Sequence, residues 1–162
     1  MLKPVTSASN QAYKKIKSLQ TKKGRMQYRQ FVVEGSKAAG DAARAEAPIA
    51  CYAAAESFYG EHPEFFNKPE HEIYVVSDRI FGGLCDTQTP QGVLCVVNME
   101  PQHAVSQIAV KRRGLWVYCD RIADPGNAGT IIRTADAAGA AGVIFSEGCV
   151  DIYSPKVVRS TM

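Results

Sequence analysis

Short apolar runs alternate with stretches of helical periodicity along the first hundred positions of the chain. The apolar runs are rich in β-branched and aromatic residues, which favours strands, and they are separated by amphipathic segments of about ten residues. The predicted strands are 31–33, 49–53, 72–76 and 92–98. The predicted helices are 10–20, 36–46, 57–66 (interrupted by Pro63) and 77–85. This alternation predicts an α/β fold around a small sheet.

The pattern changes between positions 100 and 113, where a proline and several polar residues precede the basic triplet KRR. We predict a linker there. Beyond it the alternation resumes, with predicted strands at 115–120 and 142–146 and predicted helices at 127–138 and 154–162. The predicted organisation is a basic N-terminal helix or arm at 1–30, a domain at 31–99, a linker at 100–113 and the start of a second α/β domain at 114–162.

Composition narrows the class of protein. With 46% apolar and 22% charged residues, no apolar run long enough to span a membrane and no secretory signal, the sequence predicts a cytoplasmic globular protein. The five cysteines are odd in number and lack CxxC spacing, and the three histidines lie apart. We therefore expect reduced thiols and no metal site.

Basic residues are concentrated at the start of the chain. Residues 1–30 contain no Asp or Glu, whereas the rest of the chain is net acidic. The basic side chains are Lys3, Lys14, Lys15, Lys17, Lys22, Lys23, Arg25 and Arg29. A local cationic surface of this kind is suited to a phosphate backbone. A solvated helix face and an organelle transit peptide remain alternative interpretations.

Candidate chemistry lies in the segment 120–139, which follows the first strand of the second domain. Asn127 is at the start of the predicted helix, where it can cap backbone donors or face a ligand. Arg133 lies one turn beyond Gly129, and its side chain points back toward the helix N-terminus, a location suited to a phosphate. The alternative is a capping Asn127 and a surface Arg133 paired with Asp136. Neither GxGxxG nor a phosphate-binding P-loop motif is present.

The string DPGNAGTIIRTADAAGAAGVI, residues 124–144, resembles the first motif of the SpoU/TrmH family of RNA ribose 2′-O-methyltransferases. The string DIYSPKVVRSTM, residues 151–162, resembles the next segment of that family. In the first domain, FVVEG at 31–35 and TPQGVLCVV at 89–97 resemble signatures of its substrate-binding domain. The resemblance covers about residues 10–162, and the parts occur in the family's order.

The resemblance implies a fold and an activity. It implies a small ribosomal-protein-like RNA-binding domain at 31–99, followed by the first part of a SPOUT trefoil-knot methyltransferase domain whose knot region is missing. It implies methyl transfer from S-adenosylmethionine to an RNA 2′-hydroxyl, with rRNA favoured over tRNA, and a homodimer for the complete enzyme. The segments that bind S-adenosylmethionine in the family have no counterpart among these residues, so we expect this chain to be inactive alone. A non-catalytic RNA-binding module is the alternative.

The resemblance also implies roles for particular residues. Asn127 and Arg133 match the catalytic pocket, with Arg133 orienting the target phosphate and stabilising a developing alkoxide. Predicted RNA contacts come from both domains: Lys14, Lys15, Lys22, Lys23, Arg25, Arg29, Lys156 and Arg159.

Three further side chains have predicted roles that the resemblance does not settle. We expect Glu34 to form an internal pair with Arg25 or Arg29 rather than to contact RNA. We expect Trp116 and Tyr118 to be core residues rather than stacking platforms, because their strand should be covered on both faces.

Overall fold

The computed structural model describes residues 1–66, 71–99 and 113–162. The chain divides into two compact units, Met1–Met99 and Glu100–Met162, and each is described by itself. Apart from Arg113, the predicted linker 100–113 lies outside the described residues.

The first unit contains a five-stranded sheet of order β1-β4-β3-β5-β2. Its strands are β1 (Leu2–Val5), β2 (Gln30–Glu34), β3 (Ile49–Ala55), β4 (Glu72–Val76) and β5 (Val93–Asn98). The pairs β1–β4 and β4–β3 are parallel, whereas β3–β5 and β5–β2 are antiparallel. The four strands predicted for this region are confirmed, and the fold is α/β as predicted.

Five helices accompany this sheet. They are α1 (Gln11–Ser18), α2 (Lys22–Tyr28), α3 (Ser36–Arg44), α4 (Glu56–Glu61) and α5 (Asp78–Phe81). The predicted interruption at Pro63 is confirmed, because a separate 3-10 turn runs from Pro63 to Phe66. The predicted helix 77–85 is divided into α5 and a 3-10 turn at Gly82–Leu84. Two consecutive glycines, which have low helix propensity, lie at that change.

The prediction of a separate basic arm at 1–30 is wrong, because two elements that it missed belong to the first unit. Strand β1 pairs with β4 from Leu2↔Ile73 to Val5↔Val76. It contains Pro4, which an edge strand tolerates because one side of its backbone needs no partner. Helix α2 passes through Gly24, a residue of low helix propensity. A Cβ there would lie 2.0 Å from the Ser18 carbonyl oxygen, so the glycine allows close packing.

The core of the first unit lies between the sheet and its helices. Helix α1 buries Tyr13 and Ile16, and its C-cap residue Leu19 is buried with them. Leu84 and Leu94, from the 3-10 turn and from β5, are fully buried in the same cluster. The first unit therefore encloses an apolar core with its own residues.

The described part of the second unit, residues 113–162, contains two parallel strands with a helix between them. Its elements are β6 (Trp116–Cys119), α6 (Pro125–Ala137), β7 (Gly142–Phe145) and α7 (Pro155–Ser160). Ser160 fastens α7 to α6, since its hydroxyl donates to the Pro125 carbonyl oxygen at 2.9 Å. The predicted strand–helix–strand–helix order is confirmed.

The two faces of β6 differ in burial. Cys119 is buried, whereas Tyr118, whose side chain points to the opposite face, is 66% exposed. Trp116 shares the face of Tyr118 and is half-buried over Gly142. The prediction that Tyr118 is a core residue is therefore wrong: no described element of this unit covers that side chain.

The described residues contain neither a membrane-spanning helix nor a cluster of metal ligands. None of their helices combines the length and apolarity needed to cross a bilayer. No group of three or more His, Cys, Asp or Glu side chains in the described ranges is arranged to hold a metal ion.

Candidate functional site

The start of α6 carries the first candidate residue, Asn127. Asp124 is the N-cap residue, and its Oδ1 accepts a hydrogen bond from the Asn127 backbone N–H at 2.8 Å. Pro125 occupies the first turn, where its missing N–H costs nothing. Because Asp124 caps the helix, the alternative of a capping Asn127 is wrong. The Asn127 side chain is exposed and makes no hydrogen bond to the described residues.

Arg133, the second candidate, is exposed on the same helix. Its Nη1 donates to the Met162 main-chain oxygen at 3.1 Å, and the described residues contain no ion pair between Arg133 and Asp136. A guanidinium has five N–H donors, so further donors remain for a ligand. The carboxylate of Asp124 already occupies the helix N-terminus and would repel an anion there. A phosphate-binding role for the Arg133 guanidinium stays a prediction.

Asn127 and Arg133 are held at a fixed separation by α6. Six residues of α-helix span about 9 Å along the axis, so the two side chains can contact different parts of one extended ligand. Gly129 lies between them on the same helix. A Cβ at Gly129 would lie 1.9 Å from Ser160 Oγ, so this glycine allows α7 to pack against α6.

Side chains at the carboxyl ends of β6 and β7 contact each other. The Ser146 hydroxyl donates to Asp120 Oδ1 at 2.9 Å, and the Arg121 backbone N–H donates to Ser146 Oγ at 3.2 Å. Ligands usually bind at this edge of a parallel sheet. Because these side chains satisfy one another, they hold the loop that precedes α6, and we assign none of them to a methyl donor. Sequence analysis missed this pair, whose members are 26 residues apart.

Three lysines line a groove in the first unit. Lys14 and Lys15 are predicted RNA contacts, and Lys3 belongs to the same basic segment of the sequence. Lys3, Lys14 and Lys15 share a groove of about 680 Å³ with Tyr28 and Tyr74. Lys15 Nζ lies 5.2 Å from the Tyr28 ring centroid, and Lys3 Nζ lies 5.7 Å from that of Tyr74. Sequence analysis missed both tyrosines, since only the fold brings α2 and β4 beside α1.

The other predicted RNA contacts of the first unit differ in exposure. Lys22 and Lys23 are exposed in the first turn of α2. Arg25, in contrast, is only 3% exposed, and its Nη1 donates to the carbonyl oxygens of Leu19 at 2.8 Å and Gln20 at 3.0 Å. The prediction that Arg25 contacts RNA is therefore corrected to a structural role, in which it joins α1 to α2.

Arg29 and the two cations of the second unit complete the predicted set. Arg29 is half-buried with a left-handed backbone (φ 52°), and its carbonyl oxygen accepts a hydrogen bond from the Met99 N–H at 2.8 Å. Lys156 and Arg159 are exposed on α7.

Glu34 and Gln91 stabilise loops of the first unit. The Glu34 carboxylate accepts hydrogen bonds from the Asp86 N–H at 2.6 Å and the Thr87 hydroxyl at 3.1 Å. Gln91 Oε1 accepts one from the Ser36 N–H at 3.0 Å, at the start of α3. Glu34 thus has a structural role with loop donors that the sequence did not predict.

Three of the cysteines have strongly raised pKa values. All five are free, as expected for reduced thiols. Burial raises the pKa of Cys51 to about 11 and the pKa values of Cys85 and Cys95 to about 12. These three thiols therefore stay protonated near neutral pH and are poor nucleophiles.

Family models match both units. Residues 10–95 match the MRM3-like substrate binding domain, and residues 114–162 match the SpoU rRNA Methylase family. The chain therefore belongs to the SpoU/TrmH family, with a substrate-binding domain followed by a segment that matches the SpoU methylase.

Individual relatives agree with this family. The chain is 32% identical over 161 residues to the 23S rRNA (guanosine(2553)-2′-O)-methyltransferase RlmP of Bacillus subtilis, covering 98% of this chain and 60% of that protein. It is 40% identical over 82 residues to human mitochondrial rRNA methyltransferase 3, covering 48% of this chain and 19% of that protein.

Solved structures show the same relationship. An rRNA methyltransferase from Sinorhizobium meliloti matches with a TM-score of 0.83 and 31% identity, covering 99% of this chain and 61% of that one. The AdoMet-bound structure from the same organism matches with a TM-score of 0.82 and 32% identity, covering 99% and 60%. The chain thus spans about 60% of the length of these relatives.

Proposed function

We propose that this chain forms part of an RNA ribose 2′-O-methyltransferase that acts on rRNA. The observation that carries the proposal is that Asn127 and Arg133 are both exposed on α6, within a unit that matches the SpoU rRNA Methylase family. The names of the relatives favour rRNA, since RlmP and human rRNA methyltransferase 3 are both named for it. In this proposal S-adenosylmethionine supplies the methyl group.

The residues of this chain bind and orient the RNA. Arg133 holds a phosphate next to the target ribose with its planar set of N–H donors. The same positive charge stabilises the alkoxide that develops as the 2′-hydroxyl loses its proton to solvent water. A guanidinium has no free lone pair with which to take that proton itself. Asn127, whose side chain the helix cap leaves unused, holds the ribose side of the pocket.

The cations of both units supply the remaining affinity. Lys22 and Lys23 lie at the N-terminus of α2, where the helix dipole disfavours positive charge by about 0.3–1 kcal/mol, and no acidic residue accompanies them. Since they do not stabilise their own helix, phosphate binding is the role that fits them. Four other exposed cations also bind phosphate: Lys14, Lys15, Lys156 and Arg159. The half-buried Arg29 binds phosphate through the accessible part of its side chain.

The proposal extends to assembly and location. The complete protein is a homodimer, and the exposed Leu115 and Tyr118 of the second unit are suited to burial in an assembled enzyme. Its location is the cytoplasm, where the free thiols stay reduced. Sedimentation of the complete gene product tests the first statement: a monomer at high concentration would contradict it.

Methylation by the complete gene product tests the catalytic assignment. The protein and its Arg133→Ala variant are incubated with rRNA, and 2′-O-methyl ribose is mapped by mass spectrometry. We expect the variant to lose about 100-fold or more in rate, as when a donor to a developing oxyanion is removed. Arg44→Ala, a surface arginine of α3, is the matched control and should leave the rate unchanged. Equal methylation by Arg133→Ala would remove Arg133 from the mechanism, and RNA binding without methylation would favour a non-catalytic module.

A further inference from the structure

The groove of the first unit is built from four separate elements. Lys3 comes from β1, Lys14 and Lys15 from α1, Tyr28 from α2 and Tyr74 from β4. Asn10 caps α1 there, since its Oδ1 accepts from the Ala12 N–H at 2.8 Å. The first turn of α1 therefore has its own acceptor, and the ligand-binding capacity of the groove lies in its side chains.

The groove has a positive charge excess. Lys3 forms an ion pair with Glu72, but Lys14 makes no ion pair with the described residues and Lys15 lies over the Tyr28 ring. The three lysines that line the groove therefore outnumber its one neighbouring carboxylate, Glu72, which is already paired with Lys3. A groove with this charge is complementary to a phosphate backbone.

The two tyrosine rings of the groove differ in their contacts. The Tyr74 hydroxyl donates to Glu72 Oε2 at 2.8 Å, and burial together with this bond raises the pKa of Tyr74 to about 12, so the phenol remains a donor. Tyr28 is 39% exposed, and its hydroxyl has no hydrogen-bond partner among the described residues. An exposed ring next to a cation, as Tyr28 is next to Lys15, is suited to stacking against a nucleobase.

We propose that this groove binds an unpaired stretch of RNA, with a base stacked on Tyr28 and the backbone held by Lys3, Lys14 and Lys15. The inference rests on the proposed function for RNA as the ligand and adds the site and the strandedness. Bases in a duplex are stacked on one another and offer no free face to a tyrosine ring, whereas bases in a loop do. The groove therefore selects unpaired over paired RNA.

Polarisation assays with labelled RNA test the proposal on the full 162-residue chain. The probes are an unstructured strand of about 12 nucleotides, within the usual range of single-strand sites, and a hairpin duplex of equal charge. We expect the single strand to bind more tightly. Tyr28→Ala should weaken single-strand binding by about tenfold, since a base–aromatic stack contributes about 1–3 kcal/mol, and should leave duplex binding unchanged.

Matched variants separate the ring and the charges from the fold. Tyr28→Phe keeps the ring and should bind as the unmodified protein does, while Lys14→Gln should reduce the salt slope of single-strand binding by about 0.7. Lys37→Gln, an exposed lysine of α3 outside the groove, should change neither quantity. Circular dichroism confirms that each variant is folded.

Three outcomes would overturn the proposal. One is tighter binding to the duplex, a second is unchanged single-strand binding by folded Tyr28→Ala, and a third is equal loss in Tyr28→Phe. In each of these cases RNA still binds, so the proposed function stands without this groove. A chain that binds neither probe would count against the proposed function as well.

Discussion

The two units differ in how completely their own residues enclose a core. The first unit buries Leu19, Leu84 and Leu94 beneath a five-stranded sheet. The described part of the second has a two-stranded sheet and leaves Leu115 63% exposed and Tyr118 66% exposed. Burial of apolar surface is the main stabilising contribution to folding. The comparison therefore indicates that the first unit is the more stable, and that the candidate catalytic helix lies in the less stable one.

Leu94→Ala should have the largest effect on stability, and only the first unit should be destabilised. Removing a fully buried leucine side chain leaves a cavity and should lower the free energy of unfolding by about 2–5 kcal/mol. Urea unfolding followed by far-UV circular dichroism measures this loss. Trp116 is the single tryptophan of the chain and lies in the second unit, so its fluorescence reports on that unit.

The control for this change is Ile144→Ala, at a half-buried position in β7. It should shift the urea midpoint of Trp116 fluorescence. It should lower the free energy of unfolding by less than Leu94→Ala does, because less apolar surface is buried at Ile144. If Leu94→Ala moved the fluorescence midpoint as far as the dichroism midpoint, the two units would unfold together and the comparison would fail.

Gly129→Ala should destabilise the second unit by about 1–3 kcal/mol, the usual cost of overpacking. The new Cβ would lie 1.9 Å from Ser160 Oγ and 2.7 Å from the Ser160 carbonyl carbon, so backbone as well as side chain must move. Trp116 fluorescence during urea unfolding measures the change.

Gly60→Ala is the matched control for that substitution. A Cβ at Gly60 of α4 meets no atom within 4 Å, so the change should be neutral or slightly stabilising through helix propensity. An unchanged midpoint for Gly129→Ala would mean that α6 and α7 are not closely packed in solution.

Glu34→Gln should cost the first unit about 1 kcal/mol, because a charged acceptor of two loop N–H groups and a hydroxyl is replaced by an amide. The measurement is the dichroism midpoint in urea. Glu61→Gln, an exposed position at the end of α4, is the control and should be neutral. A Glu34→Gln protein as stable as the unmodified one would show that the loop 86–87 is held by other contacts.

Sequence patterns predicted the regular elements well and the contacts between distant elements poorly. Strand β5 and helix α1 carry strong local signals, and both lie where the pattern predicts. Strand β1 was missed because its four residues include a lysine and a proline, so only pairing with β4 reveals it. Arg25 was taken for an RNA contact because charge predicts exposure, whereas its burial depends on carbonyl oxygens at the end of α1.

The candidate site shows the same division between local and distant information. The motif placed Asn127 and Arg133 on one helix, and the structure has them on α6. The capping role of Asp124 and the contact between Gly129 and Ser160 depend on geometry that residue spacing does not encode. Tyr28 and Tyr74 are far apart in sequence, so the groove between them could be found only from the fold.

A fall in pH should have the smallest effect on stability, and the loss of Glu72 should change that effect in the first unit alone. The hydrogen bond from Lys3, and next that from Tyr74, hold the pKa of Glu72 below its ordinary value of 4.5. A carboxylate with a lowered folded-state pKa contributes stability above its unfolded-state pKa, and that contribution is lost as the pH falls through the folded-state value. The dichroism midpoint in urea should therefore fall between pH 5 and pH 3 by less in Glu72→Gln than in the unmodified protein. Because Glu72 lies in the first unit, the Trp116 midpoint should respond equally in both proteins; a difference there would show that the units are energetically coupled.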